Sequence, residues 1–147
     1  MSGSPTFPKL TEQSLEEHEV IQFHLDQLER GVREFDPAAA TGETMRGLAV
    51  RIDSFKDRLE EHFRLEEDGG LLQAVADALP QAESDIRRIR AEHARMGAAL
   101  DEVRRTARSA ERAGVGALKS ELERILIVIR EHEREEDALV RRALRQA

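Results

Sequence analysis

His132 and Glu136 stand four residues apart in the segment Glu131-His132-Glu133-Arg134-Glu135-Glu136. On a helix, that spacing places one side chain above the other on the same face. The same pair recurs as His62 and Glu66, and single histidines, His18 and His93, lie in two further helical segments. Around each of them the helical period is apolar, so an unpaired charge would be costly. Four imidazoles and two carboxylates in one small core would leave several desolvated groups without partners unless an ion held them together. Imidazole with carboxylate suits Fe, Zn, Ni or Cu. Six donors exceed one tetrahedral zinc site. They match two ions, each held by two histidines and sharing Glu66 and Glu136 as bridges.

Two other metal patterns fail on spacing. A ferritin-like di-iron bundle uses Glu-x-x-His, whereas the residues three before the histidines are Leu15, Ile21, Leu59, Arg90 and Ile129. The metalloprotease His-Glu-x-x-His is absent, because Glu136 stands where the second histidine is required. The chain has no cysteine, which excludes thiolate metal sites, disulfides and redox cysteines.

The elements that must carry these residues read as four long helices. Residues 1–10 are expected to form an irregular arm, with Pro5 and Pro8 opposing a helix and Phe7 available to pin it. Thr11, or less well Ser14, is the expected N-cap of a first helix reaching about Glu34, with Leu15, Ile21, Leu25, Leu28 and Val32 as its apolar stripe. Asp36-Pro37 stops it. A second helix follows Thr41-Gly42 and carries Leu48, Ile52, Phe55, Leu59, His62 and Glu66 on one side. Gly69-Gly70 breaks it, and Leu71 to Leu79 reads as a short continuation closed by Pro80. The third helix carries Ile86, Ile89, His93, Met96, Leu100 and Val103 and ends near Ala113-Gly114. The fourth runs from about Gly116 to the C-terminus with Leu118, Leu122, Ile125, Val128, Ile129, Leu139 and Val140 as its stripe. No segment shows a period of two. The expected fold is all-α: an antiparallel up-down-up-down four-helix bundle over residues 11–147, preceded by the arm.

A fifth histidine needs placing. At 100° per residue, His18 lies about 35° from the centre of the first stripe and His24 roughly 85° away on the other flank. His18 is therefore the candidate donor, and His24 a boundary residue that could at most act as an outer partner or alternative ligand. The word Leu15-Glu16-Glu17-His18 recurs as Leu59-Glu60-Glu61-His62, and Glu-His recurs at Glu92-His93 and Glu131-His132. Such words arise easily in acidic helices and carry little weight.

Composition narrows the function. The net charge of -7 is spread along 147 residues, which argues against nucleic acid or an anionic membrane, both of which attract basic patches. No stretch is long and apolar enough for a membrane span, and the N-terminus lacks the apolar region of a signal peptide. A cytoplasmic location is the default expectation. Val20 and Phe23 fall off the first stripe, consistent with a monomer or weak dimer.

His18, His62-x-x-x-Glu66, His93 and His132-x-x-x-Glu136, in that order on four helices, resemble the haemerythrin-like HHE cation-binding domain over roughly residues 11–145. The resemblance implies a non-haem di-iron centre in an antiparallel four-helix bundle. Glu66 and Glu136 would bridge two iron ions, with an oxo, hydroxo or water ligand completing the bridge. It also implies a repertoire of dioxygen carriage or sensing, iron sensing, responses to nitric oxide or peroxide, and repair of iron–sulfur centres.

Two departures from the oxygen-carrying members bear on function. Their third helix supplies two histidines four apart, but Ile89 and Gly97 flank His93 here. Their last helix places Asp five residues after His. Asp137 has that spacing, yet it lies about 140° from His132 against about 40° for Glu136, so Glu136 is the expected ligand unless a π-bulge intervenes. With six side chains, both carboxylates bridging, and one bridging oxygen, about two of roughly twelve octahedral positions remain for water, dioxygen, peroxide or nitric oxide. So open a site suits exchange or redox turnover better than guarded oxygen carriage. The absence of tyrosine excludes a tyrosyl radical. The expectation is a di-iron protein that binds or reacts with a small diatomic ligand or peroxide. A sensing module without turnover is the alternative, and a metal-free bundle the third.

Overall fold

The computed structural model describes residues 6–109 and 114–146. Five α-helices and two short 3-10 turns make up this part: α1 (Phe7–Glu34), α2 (Gly42–Asp68), α3 (Leu71–Ala78), α4 (Glu83–Ser109) and α5 (Val115–Gln146), with the turns at Pro37–Ala39 and Pro80–Ala82. No strand occurs among the described residues.

The first helix is capped five residues earlier than the N-cap expected at Thr11. Thr6 caps it, accepting a hydrogen bond from the Lys9 amide at 3.4 Å, and Pro8 sits in the first turn. Proline opposes a helix only where an amide must reach back one turn, and the first turn has no such requirement. The expected arm over residues 1–10 therefore loses Phe7 to Leu10 to α1, while residues 1–5 lie outside the described residues. Thr11 is instead buried inside the helix, where its hydroxyl donates to the Phe7 carbonyl at 2.9 Å.

Helix α1 stops at Phe35, ahead of Pro37. Thr41 and Thr44 form a reciprocal capping box that starts α2. Gly69 and Gly70 end it. A Cβ on Gly69 would stand 2.1 Å from the Leu65 carbonyl oxygen, and Gly70 has φ 96°, a left-handed conformation that glycine adopts without penalty. The turn redirects the chain, so the expected continuation from Leu71 is instead the separate helix α3, which ends at Ala78 with Leu79 as its C-cap. The expected end of the third helix at Ala113 lies outside the described residues, and α4 is described to Ser109.

Helices α1, α2, α4 and α5 neighbour one another in a closed order, α1 against α2, α2 against α4, α4 against α5 and α5 against α1. Residue numbers run in opposite senses along each contact. Glu17 meets His62 while a Cβ on Gly31 would meet Arg51. Asp53 meets Arg104 while Glu67 meets Arg90. Arg88 meets Glu135 while Asp85 meets Arg142. Arg130 bonds Glu29 at 2.8 Å while Asp137 meets His18.

The interior contains two apolar clusters. The larger includes Ile21, Leu25, Ile52, Leu59, Met96, Leu100, Leu122 and Ile129. The smaller gathers Leu71, Leu72 and Val75 of α3 with Ile86, Ile89, Leu139 and Val140, and Phe7 and Leu10 pack against it. Along the helices, the buried polar residues fall between these clusters: His18 precedes Ile21, Glu66 precedes Leu71, His93 follows Ile89 and Glu136 precedes Leu139. Helix α3 and its apolar cluster thus close the end of the interior beyond the polar layer and limit its contact with water.

Two stripe assignments shift. Leu15 is half-buried while Ser14 faces inward, and Val128 is exposed while Leu126 is buried. Both changes exchange one flank of the apolar stripe for the other while the rest of each stripe stays buried, within the wide apolar arc of a packed helix.

Candidate metal centre

All six residues singled out by spacing converge. His18, His62, Glu66, His93, His132 and Glu136 are each at most 5 % exposed, and Glu136 is fully buried. Each helix of the closed order contributes for a local reason. The i, i+4 spacing stacks His62 on Glu66 in α2 and His132 on Glu136 in α5, while His18 and His93 each lie on the inner face of α1 and α4.

The imidazoles present Nε2 to the centre. His18 Nε2 is 3.4 Å from Glu66 Oε2 and 3.4 Å from Glu136 Oε1. His62 Nε2 is 3.2 Å from Glu66 Oε1. On the other side, His93 Nε2 lies 3.1 Å from His132 Nε2 and 3.5 Å from Glu136 Oε2, and His132 Nε2 lies 3.0 Å from the same oxygen. Glu136 therefore offers Oε1 to His18 and Oε2 to the His93–His132 pair. Glu66 reaches both sides too, since its Oε1 is also 3.7 Å from His93 Nε2.

Donors around an ion at about 2.1 Å stand about 3.0–3.4 Å from their neighbours in octahedral or tetrahedral geometry. Most of these separations fall in or near that range. Two overlapping groups can each hold an ion, His18 with His62, Glu66 and Glu136, and His93 with His132 and Glu136. His62 Nε2, Glu66 Oε1 and both oxygens of Glu136 are buried without a hydrogen-bond partner. Several orphaned donors and acceptors in one layer are unusual in a folded protein, and coordination by cations would satisfy them together.

A seventh group belongs to the centre that spacing alone did not single out. Glu133 is 1 % exposed, and both its oxygens lack a hydrogen-bond partner. It lies one turn after Ile129 and three residues before Glu136, on the inward face of α5. That register was the available signal, obscured by assigning Val128 to the stripe.

The outer nitrogens follow a second pattern. His62 Nδ1 donates to Glu17 at 3.0 Å and His132 Nδ1 donates to Glu92 at 2.6 Å. His18 Nδ1 donates to Asp137, and His93 Nδ1 faces Glu67 at 3.5 Å. Each carboxylate comes from the helix preceding its imidazole in a single cycle: α1 to α2, α2 to α4, α4 to α5 and α5 to α1. Each also adjoins a central residue in sequence, as Glu17 adjoins His18 and Asp137 adjoins Glu136. The Glu17-His18 and Glu92-His93 words carried this signal. Glu61 and Glu131, in matching words, are exposed instead. A carboxylate on Nδ1 fixes the ring orientation and leaves Nε2 free as a donor.

The charges in the metal-free protein are uneven. Burial lowers the His18 pKa, but the hydrogen bond to Asp137 and the neighbouring carboxylates Glu136 and Glu133 outweigh it and bring the pKa to about 10. The His62 pKa is also raised, burial being overcome by Glu133 and Glu17. Burial and the neighbouring His132 push that of His93 down to about 3. Burial pushes the Glu133 pKa upward, yet the surrounding histidines, His62 foremost, pull it below its usual value. Protonated His18 and neutral His93 thus mark two electrostatically distinct halves.

His24 stays out of the centre. It is half-buried in a cleft of about 480 Å³ between α1 and α2, with Arg51 and Arg58. Four smaller clefts reach the polar layer, among them one of about 460 Å³ lined by His18 and Asp137 and one of about 310 Å³ lined by Glu67 and His93. Another, of about 370 Å³, is lined by Ser14, Glu17 and Glu66, and the fourth, of about 250 Å³, by Glu92, Met96 and His132. Phe63 stacks on His93 with ring centroids 3.8 Å apart and planes 7° from parallel, holding that imidazole from the apolar side. Among the described residues, no helix is long and apolar enough to cross a membrane.

No curated protein and no solved structure matches the chain. The family model for the hemerythrin HHE cation binding domain matches residues 9–144. That match spans nearly the whole chain and includes every residue of the polar layer, so the chain belongs to the hemerythrin HHE cation-binding domain family.

Proposed function

We propose that the chain is a non-haem di-iron protein that binds or reacts with dioxygen, peroxide or nitric oxide at a centre built from His18, His62, Glu66, His93, His132 and Glu136. The supporting architecture is an up-down-up-down four-helix bundle of α1, α2, α4 and α5, capped by α3. The observation that carries this reading is the convergence of four Nε2 atoms on Glu66 and Glu136, whose buried oxygens include several with no hydrogen-bond partner. Two iron ions, when bound, would supply small-ligand binding and redox capacity.

The chain's own residues set the conditions. Glu66 and Glu136 span the two halves. Asp137, Glu17 and Glu92 hold His18, His62 and His132 in the tautomer that exposes Nε2, and binding must displace the proton held at His18. The two apolar clusters restrict water to clefts at the helix boundaries. A sensing module without turnover is supported by the same polar layer, because burying it without cations strains the fold and couples iron loss to stability.

The test is metal analysis of the as-isolated protein together with its near-ultraviolet and visible spectrum. The chain has no Trp and no Tyr, so iron charge-transfer absorption stands clear of protein absorption. Two irons per chain support the reading, and one zinc with no chromophore overturns it. Multiple turnovers of peroxide by the iron-loaded protein favour the reactive form. A large stability change without turnover favours the sensor.

A further inference from the structure

We infer that Glu133 is a seventh metal-binding side chain, serving the ion held by His18 and His62 and making the two halves of the centre unequal. The inference rests on the proposed two-ion reading.

Glu133 Oε2 lies 3.1 Å from His18 Nε2, and its Oε1 lies 3.5 Å from His62 Nε2. These separations match those that Glu66 and Glu136 make to the same imidazoles. The side chain is 1 % exposed, and neither oxygen has a hydrogen-bond partner. No arginine or lysine forms an ion pair with it among the described residues. Among the described residues its charge partners are the His18 and His62 imidazoles; coordination through Nε2 would leave those rings neutral, and the bound cation would then offset the buried carboxylate.

Helix geometry explains why this residue serves one half only. His132 and Glu133 are consecutive and so point about 100° apart. His132 turns toward His93 on α4, Glu133 toward His18 and His62 on α1 and α2, and Glu136 one turn later faces both. The first ion then has two imidazoles and three carboxylates. The second has two imidazoles and the two shared carboxylates. By this ligand count the exchangeable position falls on the His93–His132 side.

The experiment titrates metal-free protein with Fe(II) under anaerobic conditions, by calorimetry with a competing chelator. Circular dichroism and metal-free melting temperature are recorded for each variant. The wild type takes up two ions. Glu133→Gln is expected to keep one at unchanged affinity and bind the other at least about tenfold more weakly. His93→Ala loses the opposite ion, and the double variant weakens both. Glu133→Asp retains the charge and recovers part of the loss. Should Glu133→Gln fail to fold, Glu133→Asp decides alone, with weakening of one ion supporting the proposal and unchanged affinity overturning it. Two ions bound by Glu133→Gln with wild-type affinity overturn it, even if the metal-free melting temperature falls, since that combination marks a partner of protonated His18 and not a ligand. A wild type that takes up no iron overturns the two-ion reading itself, and the proposal with it.

Discussion

Glu92 on α4 accepts a 2.6 Å hydrogen bond from Nδ1 of His132 on α5, although the two are forty residues apart in sequence. The contact repeats around the bundle as Asp137 with His18, Glu17 with His62 and, more loosely, Glu67 with His93. Three imidazoles are thus oriented by a carboxylate of the neighbouring helix, while His93 Nδ1 faces Glu67 without a hydrogen bond. All four carboxylates are partly exposed, with side-chain exposures from 24 to 37 %. They form the boundary between the dry layer and water.

Because Glu92 acts through His132, Glu92→Ala should leave the fold intact and lower metal affinity about 10- to 100-fold. Competition with a chelator measures the loss. Glu92→Gln, which still accepts from Nδ1, should recover much of it. Equal affinities in all three proteins would show that this carboxylate does not position the ring.

Adjacent acids on α5 should separate cleanly. Glu136 is fully buried and offers an oxygen to each half, so Glu136→Ala should abolish binding of two ions. Asp137 meets His18 Nδ1 from the rim. Asp137→Ala should keep two ions per chain with affinity lower by about tenfold. Metal content after gel filtration distinguishes them, and the reverse pattern would transfer the bridging role to Asp137.

Metal-free protein should be most stable near pH 6.5 as far as His18 and His93 decide it. The His18 pKa is raised from 6.5 to about 10, so its contribution is complete below 6.5 and is lost as pH rises through 10. The His93 pKa is lowered from 6.5 to about 3, so its contribution is complete above 6.5 and is lost as pH falls through 3. Denaturant melts of the metal-free protein across that range should trace a dome. In His93→Ala the acidic limb should flatten while the alkaline limb persists.

Removing the metal should destabilise the fold, since the layer would then hold Glu66, Glu133 and Glu136 with unsatisfied oxygens. Free metal at about 100 times its dissociation constant adds about 2.7 kcal/mol, or roughly 5–11 °C in melting temperature for a chain of this size. Calorimetric scans with and without chelator measure it. Identical melts would show that the layer is satisfied without cations.

Much of the molecule is legible from local pattern. His62 with Glu66 and His132 with Glu136 are visible because i, i+4 spacing on an apolar stripe is a property of one helix. The inward placement of His18, and the exclusion of His24, follow from the same 100° arithmetic. The arm over residues 1–10 was misjudged at its end, because proline's effect depends on whether it stands inside a helix or in its first turn, and Thr6 made it the first turn.

By itself, then, the sequence determined four inward-facing helices and six donors of a type and spacing suited to cations. Tertiary structure alone decided what lies across the gaps. Glu133 counts as a core residue only once α5 is rotated so that Val128 faces water and Leu126 is buried. The Glu17, Glu67, Glu92 and Asp137 pairings join residues 26 or more apart (Glu67 and His93 the nearest) on different helices. The separation of Leu71 to Ala78 as α3 depends on the left-handed Gly70. Periodicity reports the direction of a side chain from its own axis. Contact between two side chains depends on the rotation and offset of both axes, and packing around the polar layer sets those.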